Sequence, residues 1–127
     1  MTQDMYASEA KERWGNTDAY KESQKRLAGY SKEDIATAQL AMQEATNIVL
    51  AAMQAGLPAD SEQATSGAEA HRKSICDYWY ECNYEIHKGL ASMYLADPRF
   101  TAHYEAQKAG LAKYIHDAII ANANKNA

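Results

Sequence analysis

The stretch that most constrains this chain runs from Ser31 to Gly56. Ile35, Ala38, Met42, Ala45, Val49 and Ala52 recur there at spacings of three and four, the mark of one face of an α-helix. Ser31, with Asp34 three residues on, makes a box-like helix start, and Glu33 adds negative charge near the positive end of the dipole. The seam is rich in alanine, so a second helix can approach closely. Only Pro58 and Pro98 interrupt the chain as prolines, β-branched residues are scattered, and no stretch alternates with period two for long. The chain reads as all-α.

The other segments follow the same period. Tyr6, Ala10 and Trp14 lie four apart and stop at Gly15-Asn16, a strong turn pair. Thr17 then opens a helix whose apolar stripe, Tyr20, Leu27 and Tyr30, is thin. Gly56-Leu57-Pro58-Ala59-Asp60 ends one helix and starts another, capped by Asp60 or Ser61, with Ala64, Ala68, His71 and Ile75 on one face. That helix stops or kinks at Tyr78-Trp79-Tyr80. A further one covers about Tyr84 to Leu95, with Ile86, Leu90 and Met93 inward. Asp97-Pro98 caps a short helix carrying Phe100 and Tyr104, and Gly110 precedes a last one with Leu111, Tyr114, Ile115, Ala118 and Ile119. The tail from Asn122 to Ala127 is polar and is expected to fray. Six or seven helices of uneven length, several short, predict one domain over 1–127. They fit a crossed, globin-like arrangement better than a four-helix bundle, with Trp14 and Phe100 as anchors.

A length of 127 residues suits a single core, and a formal charge of -4 is a poor start for a nucleic-acid binder. No direct nucleic-acid contact is therefore expected. No apolar run is long enough to span a membrane, and Met1 to Lys11 lacks the apolar core of a signal peptide, so a cytoplasmic site is the default. Cys76 and Cys82 do not make a disulfide scaffold; their spacing of six matches no zinc or redox motif, and they read as ordinary thiols of a reducing compartment.

Nine tyrosines and two tryptophans stand against one phenylalanine, a bias towards flat rings with polar edges that suits a partly open cavity as well as a core rim. The cluster is Tyr78, Trp79, Tyr80, Cys82 and Tyr84. The histidines are His71, His87, His103 and His116, of which His71 lies on an inward stripe. Haem would need an axial ligand facing a large apolar pocket, which so short a chain hardly provides, and no cofactor or metal is expected. Metal-protease, phosphate-cradling and dinucleotide patterns are missing. Glu81 and Glu85 would share a face if a helix already ran there, and with Cys82 or His87 they leave a small helical hydrolase or transferase as the alternative function.

Longer strings then become informative. Glu12-Arg13-Trp14-Gly15-Asn16-Thr17 is followed by Tyr20, by Gly56-Leu57-Pro58-Ala59-Asp60-Ser61 and by His71-Arg72. Cys82-Asn83-Tyr84-Glu85-Ile86-His87, Met93-Tyr94, Asp97-Pro98-Arg99-Phe100, Gly110-Leu111-Ala112 with Tyr114, and Asp117-Ala118-Ile119 complete the series. In this order and spacing they resemble the TipAS family, the thiostrepton-binding antibiotic-recognition domain at the C-terminus of MerR-type transcription activators.

The resemblance implies a globin-like fold around a deep cleft that takes hydrophobic multi-ring natural products, thiopeptide-like or albicidin-like. It also implies that residues 1–30 act as a mobile lid ordering around the ligand. In the activators an N-terminal DNA-binding domain, joined by a coiled coil, precedes this one, so the chain is expected to be either such a sensor domain or a freestanding drug-sequestering form, monomeric without the coiled coil. The expected ligand-binding residues are Trp14, Tyr20, His71, Tyr78, Trp79, Cys82, Tyr84, Ile86, Gly89, Leu90 and Met93. The family's thiostrepton-binding protein attaches a cysteine to a dehydroalanine of the drug, and that position falls on Gly89 here. Binding is therefore expected to be non-covalent, and Ala109 in place of a frequent proline should loosen the last helix start slightly.

Overall fold

A computed structural model describes residues 18–126, without the side chains of residues 18–20 and 23. The expected Tyr6–Trp14 helix, the Trp14 anchor and the Tyr20 side chain thus lie outside the described residues. Those residues form six helices and no strand: α1 (Asp18–Ala28), α2 (Lys32–Gln54), α3 (Glu62–Tyr78), α4 (Tyr84–Ala96), α5 (Pro98–Glu105) and α6 (Leu111–Lys125).

The ends of these helices are set by short polar side chains. Ser31 and Asp34 exchange side-chain and backbone hydrogen bonds at 3.1 and 3.0 Å, a complete capping box. Ser61, rather than Asp60, caps α3 by accepting from the Ala64 N–H, Asn83 caps α4, and Asp97 caps α5 with Pro98 in its first turn. At the end of α2, Gly56 takes φ 77, the Gly56 N–H reaches the Met53 carbonyl and the Leu57 N–H reaches Ala52, a Schellman closure that turns the chain towards α3. Gly110, at φ 90, opens α6 without a side chain of its own to cap it. The Glu105 carboxylate supplies the cap instead, accepting from the Gly110 and Ala112 N–H groups at 3.0 Å each. The helix start left without proline is held from the preceding helix.

The most extensive helix pair is α2 with α3, and the alanine seam is the reason. Ala38, Ala45, Val49 and Ala52 of α2 and Ala64, Gly67 and Ala68 of α3 are all buried, with Gly67 seated on Val49. A Cβ on Gly67 would lie 2.7 Å from Val49 Cγ2 and 3.0 Å from the Val49 backbone nitrogen, so only glycine permits this approach. The second pair is α4 with α6, and α6 also touches α2, α3 and α5, which places it at the centre. Its Leu111, Ile115, Ala118 and Ile119 bury among Leu90, Met93, Tyr94, Phe100 and Tyr104. The Tyr94 ring stands 5.5 Å from Phe100 and 5.1 Å from Tyr104, so Phe100 does anchor α5.

Two expectations are corrected. The tail does not fray at Asn122: α6 continues to Lys125, because the Asn122 amide donates to Glu69 at 2.9 Å and Lys125 donates to the Thr65 hydroxyl at 3.0 Å. Glu81 does not share a helical face with Glu85, since residues 79–83 form a loop and α4 starts at Tyr84.

Candidate functional site

The end of α3 leaves carbonyls without helical partners, and α1 comes to meet them. Arg26 of α1 donates to the Cys76 carbonyl and the Tyr30 hydroxyl, just beyond α1, donates to that of Tyr78. Glu22 accepts from the Glu81 N–H at 3.0 Å and is ion-paired to Arg26. The bond from Glu81, then that from Arg26, hold the Glu22 carboxyl below its ordinary range. Tyr30 also stands edge-on to Trp79, ring centres 6.5 Å apart. Among the described residues, no extended helix face of α1 packs on another helix. A cation at a helix C-terminus and three hydrogen bonds do most of the docking.

Beneath lies Arg72. Its guanidinium holds Glu69 in a two-pronged pair at 3.0 and 2.6 Å, donates to the Cys82 carbonyl at 2.8 Å and lies over the Tyr84 ring at 4.3 Å. The bond to Glu69 raises the guanidinium pKa further, and the same bond lowers that of Glu69. One side chain therefore ties α3, the 79–83 loop and the first turn of α4 together.

The expected ligand residues separate into two groups. Tyr78, the last residue of α3, and Tyr84 and Ile86 of α4 are half-buried, and Gly89 of α4 is exposed. Among the described residues, a Cβ at Gly89 would meet nothing within 4 Å. Trp79, at 9% exposure, shows only an edge, while His71, Cys82, Leu90 and Met93 are buried. Trp14 and the Tyr20 side chain lie outside the description.

His71 and His87 were read separately in the sequence, yet they pair. His71 Nδ1 lies 3.0 Å from His87 Nε2, with the rings stacked at 5.2 Å and the Tyr94 ring edge-on to His71 at 5.9 Å. Their outer nitrogens, His71 Nε2 and His87 Nδ1, have no partner among the described residues. Burial lowers the His71 pKa to about 4, and burial, then the charges of His71 and Arg72, drive that of His87 well below its ordinary value. The pair is neutral at pH 7. The sequence signalled half of it, since His71 falls on an inward stripe, but its partner sits sixteen positions on. Arg72, Arg26 and Glu22 carried no local signal beyond charge.

The other groups fit an enzyme poorly. Cys82 is fully buried, and burial, then the Cys76 charge, push its thiol up to about 12, far from a nucleophile at neutral pH. No group of three or more His, Cys, Asp or Glu among the described residues is placed to hold a metal ion. A shallow groove of about 410 Å³ runs between α3 and α6, lined by charges of both signs such as Glu62, Lys73 and Lys125, and offers no ring to stack on. No helix among the described residues is long and apolar enough to cross a membrane.

Comparison with known proteins agrees with this architecture. The TipAS antibiotic-recognition domain matches residues 6–122. The HTH-type transcriptional activator TipA of Streptomyces coelicolor is 50% identical over 120 residues, covering 94% of this chain and 47% of that protein. The HTH-type transcriptional activator mta of Bacillus subtilis is 36% identical over 119 residues, 93% of this chain and 45% of that protein. The chain thus spans about half the length of these relatives. Streptomyces lividans TipAS, solved in complex with nosiheptide, superposes with a TM-score of 0.88 at 47% identity, over 100% of this chain and 89% of that one. The antibiotic-binding domain of a TipA-class multidrug resistance transcriptional regulator gives 0.65 at 47% identity, over 71% of this chain and 96% of that one. The crossed helices are the globin-like arrangement of these domains, and the chain belongs to the TipAS antibiotic-recognition family.

Proposed function

We propose that this chain binds large multi-ring antibiotics of the thiopeptide or albicidin kind without a covalent bond. The cleft is the open side of α4 near Gly89, rimmed by Tyr78, Trp79 and Tyr84 and covered by α1 and the residues before it, including Trp14 and Tyr20. One observation supports this reading most: α1 docks on the α3 terminus largely through hydrogen bonds, with Leu27 its half-buried apolar contact to the core, and among the described residues a Cβ on Gly89 of α4 would meet nothing within 4 Å. A helix held in that way can lift and close at small cost, and the half-buried rings give a flat ligand surfaces to stack on. His71, Cys82, Leu90 and Met93 support the wall from behind.

The chain acts as a sensor, the ligand domain of an HTH-type activator or a freestanding form that sequesters drug, and it is cytoplasmic. It is not an enzyme in this reading: Cys82 and His87, the two groups an enzyme reading would use, are both buried.

The test is a tryptophan-fluorescence titration with a dehydroalanine-bearing thiopeptide, paired with intact-protein mass spectrometry under denaturing conditions. Wild-type protein should show a saturable change and no adduct. Gly89→Cys, whose side chain has room, should keep the fold and gain an adduct of one thiopeptide mass. An adduct on the wild type, lost in Cys82→Ser, would refute the non-covalent mode, and no saturable change with any multi-ring antibiotic would refute the binding itself.

A further inference from the structure

Cys76 sits in the last turn of α3, and Cys82 ends the loop that follows. Cys76 Sγ is 3.3 Å from the Cys82 nitrogen, whose N–H points at it, and 3.3 Å from the Cys82 carbonyl oxygen, to which the thiol donates. The first sulfur therefore lies against the backbone that carries the second. Cys82 Sγ rests on the Asn83 carbonyl at 3.8 Å, and a cysteine moves its sulfur by turning about one bond. The two thiols also differ in access: Cys76 is half-buried and Cys82 is buried. The Arg72 guanidinium reaches to 3.7 Å from Cys76 Sγ, so two donors converge on that sulfur.

We propose that Cys76 and Cys82 are a reversible thiol–disulfide pair, Cys76 meeting the oxidant and Cys82 closing the bond. The oxidant is a small peroxide. The Cys76 thiolate attacks one peroxide oxygen, the O–O bond breaks, and hydroxide leaves to become water, giving Cys76 sulfenic acid. The Cys82 sulfur then attacks the Cys76 sulfur, the S–O bond breaks, and a second water leaves. Two thiols have lost two electrons and two protons, and the peroxide has become two waters. Burial keeps the Cys82 thiol protonated, so it does not meet peroxide itself; it attacks only once Cys76 carries the sulfenic acid, and its proton goes to the departing oxygen. The bond would pin residues 79–83 to the end of α3. That loop carries the Glu81 N–H on which Glu22 of α1 docks, so oxidation sets the platform on which α1 rests. The pair stands independently of which ligand the cleft takes.

The experiment treats the full chain with hydrogen peroxide, then blocks free thiols and maps peptides by mass spectrometry. Monomer lighter by two hydrogens, with the peptides of Cys76 and Cys82 joined and separated again by dithiothreitol, is the expected result. In Cys82→Ala the reaction should stop at Cys76 sulfenic acid, trapped by dimedone, and in Cys76→Ala the remaining thiol should react only after unfolding in urea. Both peptides recovered free, linkage between two chains instead of within one, or Cys82 oxidised in folded Cys76→Ala as fast as in the wild type would each overturn the proposal. The wild-type peptide map decides alone if a variant does not fold.

Discussion

Gly67 decides how close α2 and α3 come, and its replacement separates two effects of opposite sign. Alanine in a helix interior gains about 1 kcal/mol over glycine. Here the added carbon would overlap Val49, whose backbone nitrogen stands 3.0 Å from it and cannot swing aside as the end of a side chain can. Gly67→Ala should therefore destabilise by about 1–3 kcal/mol, read as a lower urea midpoint; a raised midpoint would show that the helices are not in this contact. The histidine pair makes a prediction in pH. In the unfolded chain a histidine takes up its proton near pH 6.5, while folded His71 resists until about 4. As pH falls through that window the unfolded state binds protons the folded state does not, so stability complete above about 6.5 is lost progressively towards 4, by about 1.4 kcal/mol per pH unit for each such histidine. Urea midpoints measured between pH 7 and 5, above the carboxylate range, should fall steadily, and His71→Gln should flatten the slope; a flat wild-type profile would mean that the pair is not buried and neutral. The sequence placed His71 on an inward stripe but not its partner, because the contact is made by the crossing of α3 and α4.

Among the elements, α1 is held least by apolar burial. Its Leu27 is half-buried and its docking runs through Arg26 and Glu22, with Tyr30 at its end. Arg26→Ala should leave the unfolding midpoint nearly in place, since the core cluster does not include that residue, while weakening thiopeptide affinity several-fold and quickening release. Calorimetry against the same thiopeptide measures the first and stopped-flow fluorescence the second; unchanged affinity would remove α1 from the cover. Helix boundaries were legible wherever a cap or stop was read locally, as at Ser31, Asp97 and Gly56. They were not legible where the deciding contact is remote. The end of α6 is helical because Glu69, 53 residues away, takes the Asn122 amide, and its start is held by Glu105 rather than by Gly110 itself.

At the level of the whole molecule, the all-helical class followed from periodicity, the globin-like crossing from helices of uneven length, and the family from strings spread along the chain. The cleft was only half legible. An aromatic cluster announces rings but not which edge of each ring faces outwards, and among Tyr78, Trp79, Tyr80, Cys82 and Tyr84 only the packing on α3 and α4 sorts half-buried from buried. Gly89 was legible as a position without a side chain, and the structure adds that a Cβ there would meet none of the described residues within 4 Å. The measurement that tests antibiotic binding at this place most directly is amide hydrogen exchange on the free chain and on the chain saturated with thiopeptide. In the free chain α1 should exchange early. With ligand, protection should rise in α1, in residues 78–83 and along Tyr84–Met93, and stay level across the α2–α3 seam, which is already closed. Unchanged exchange throughout, or protection confined to the polar groove between α3 and α6, would contradict the site.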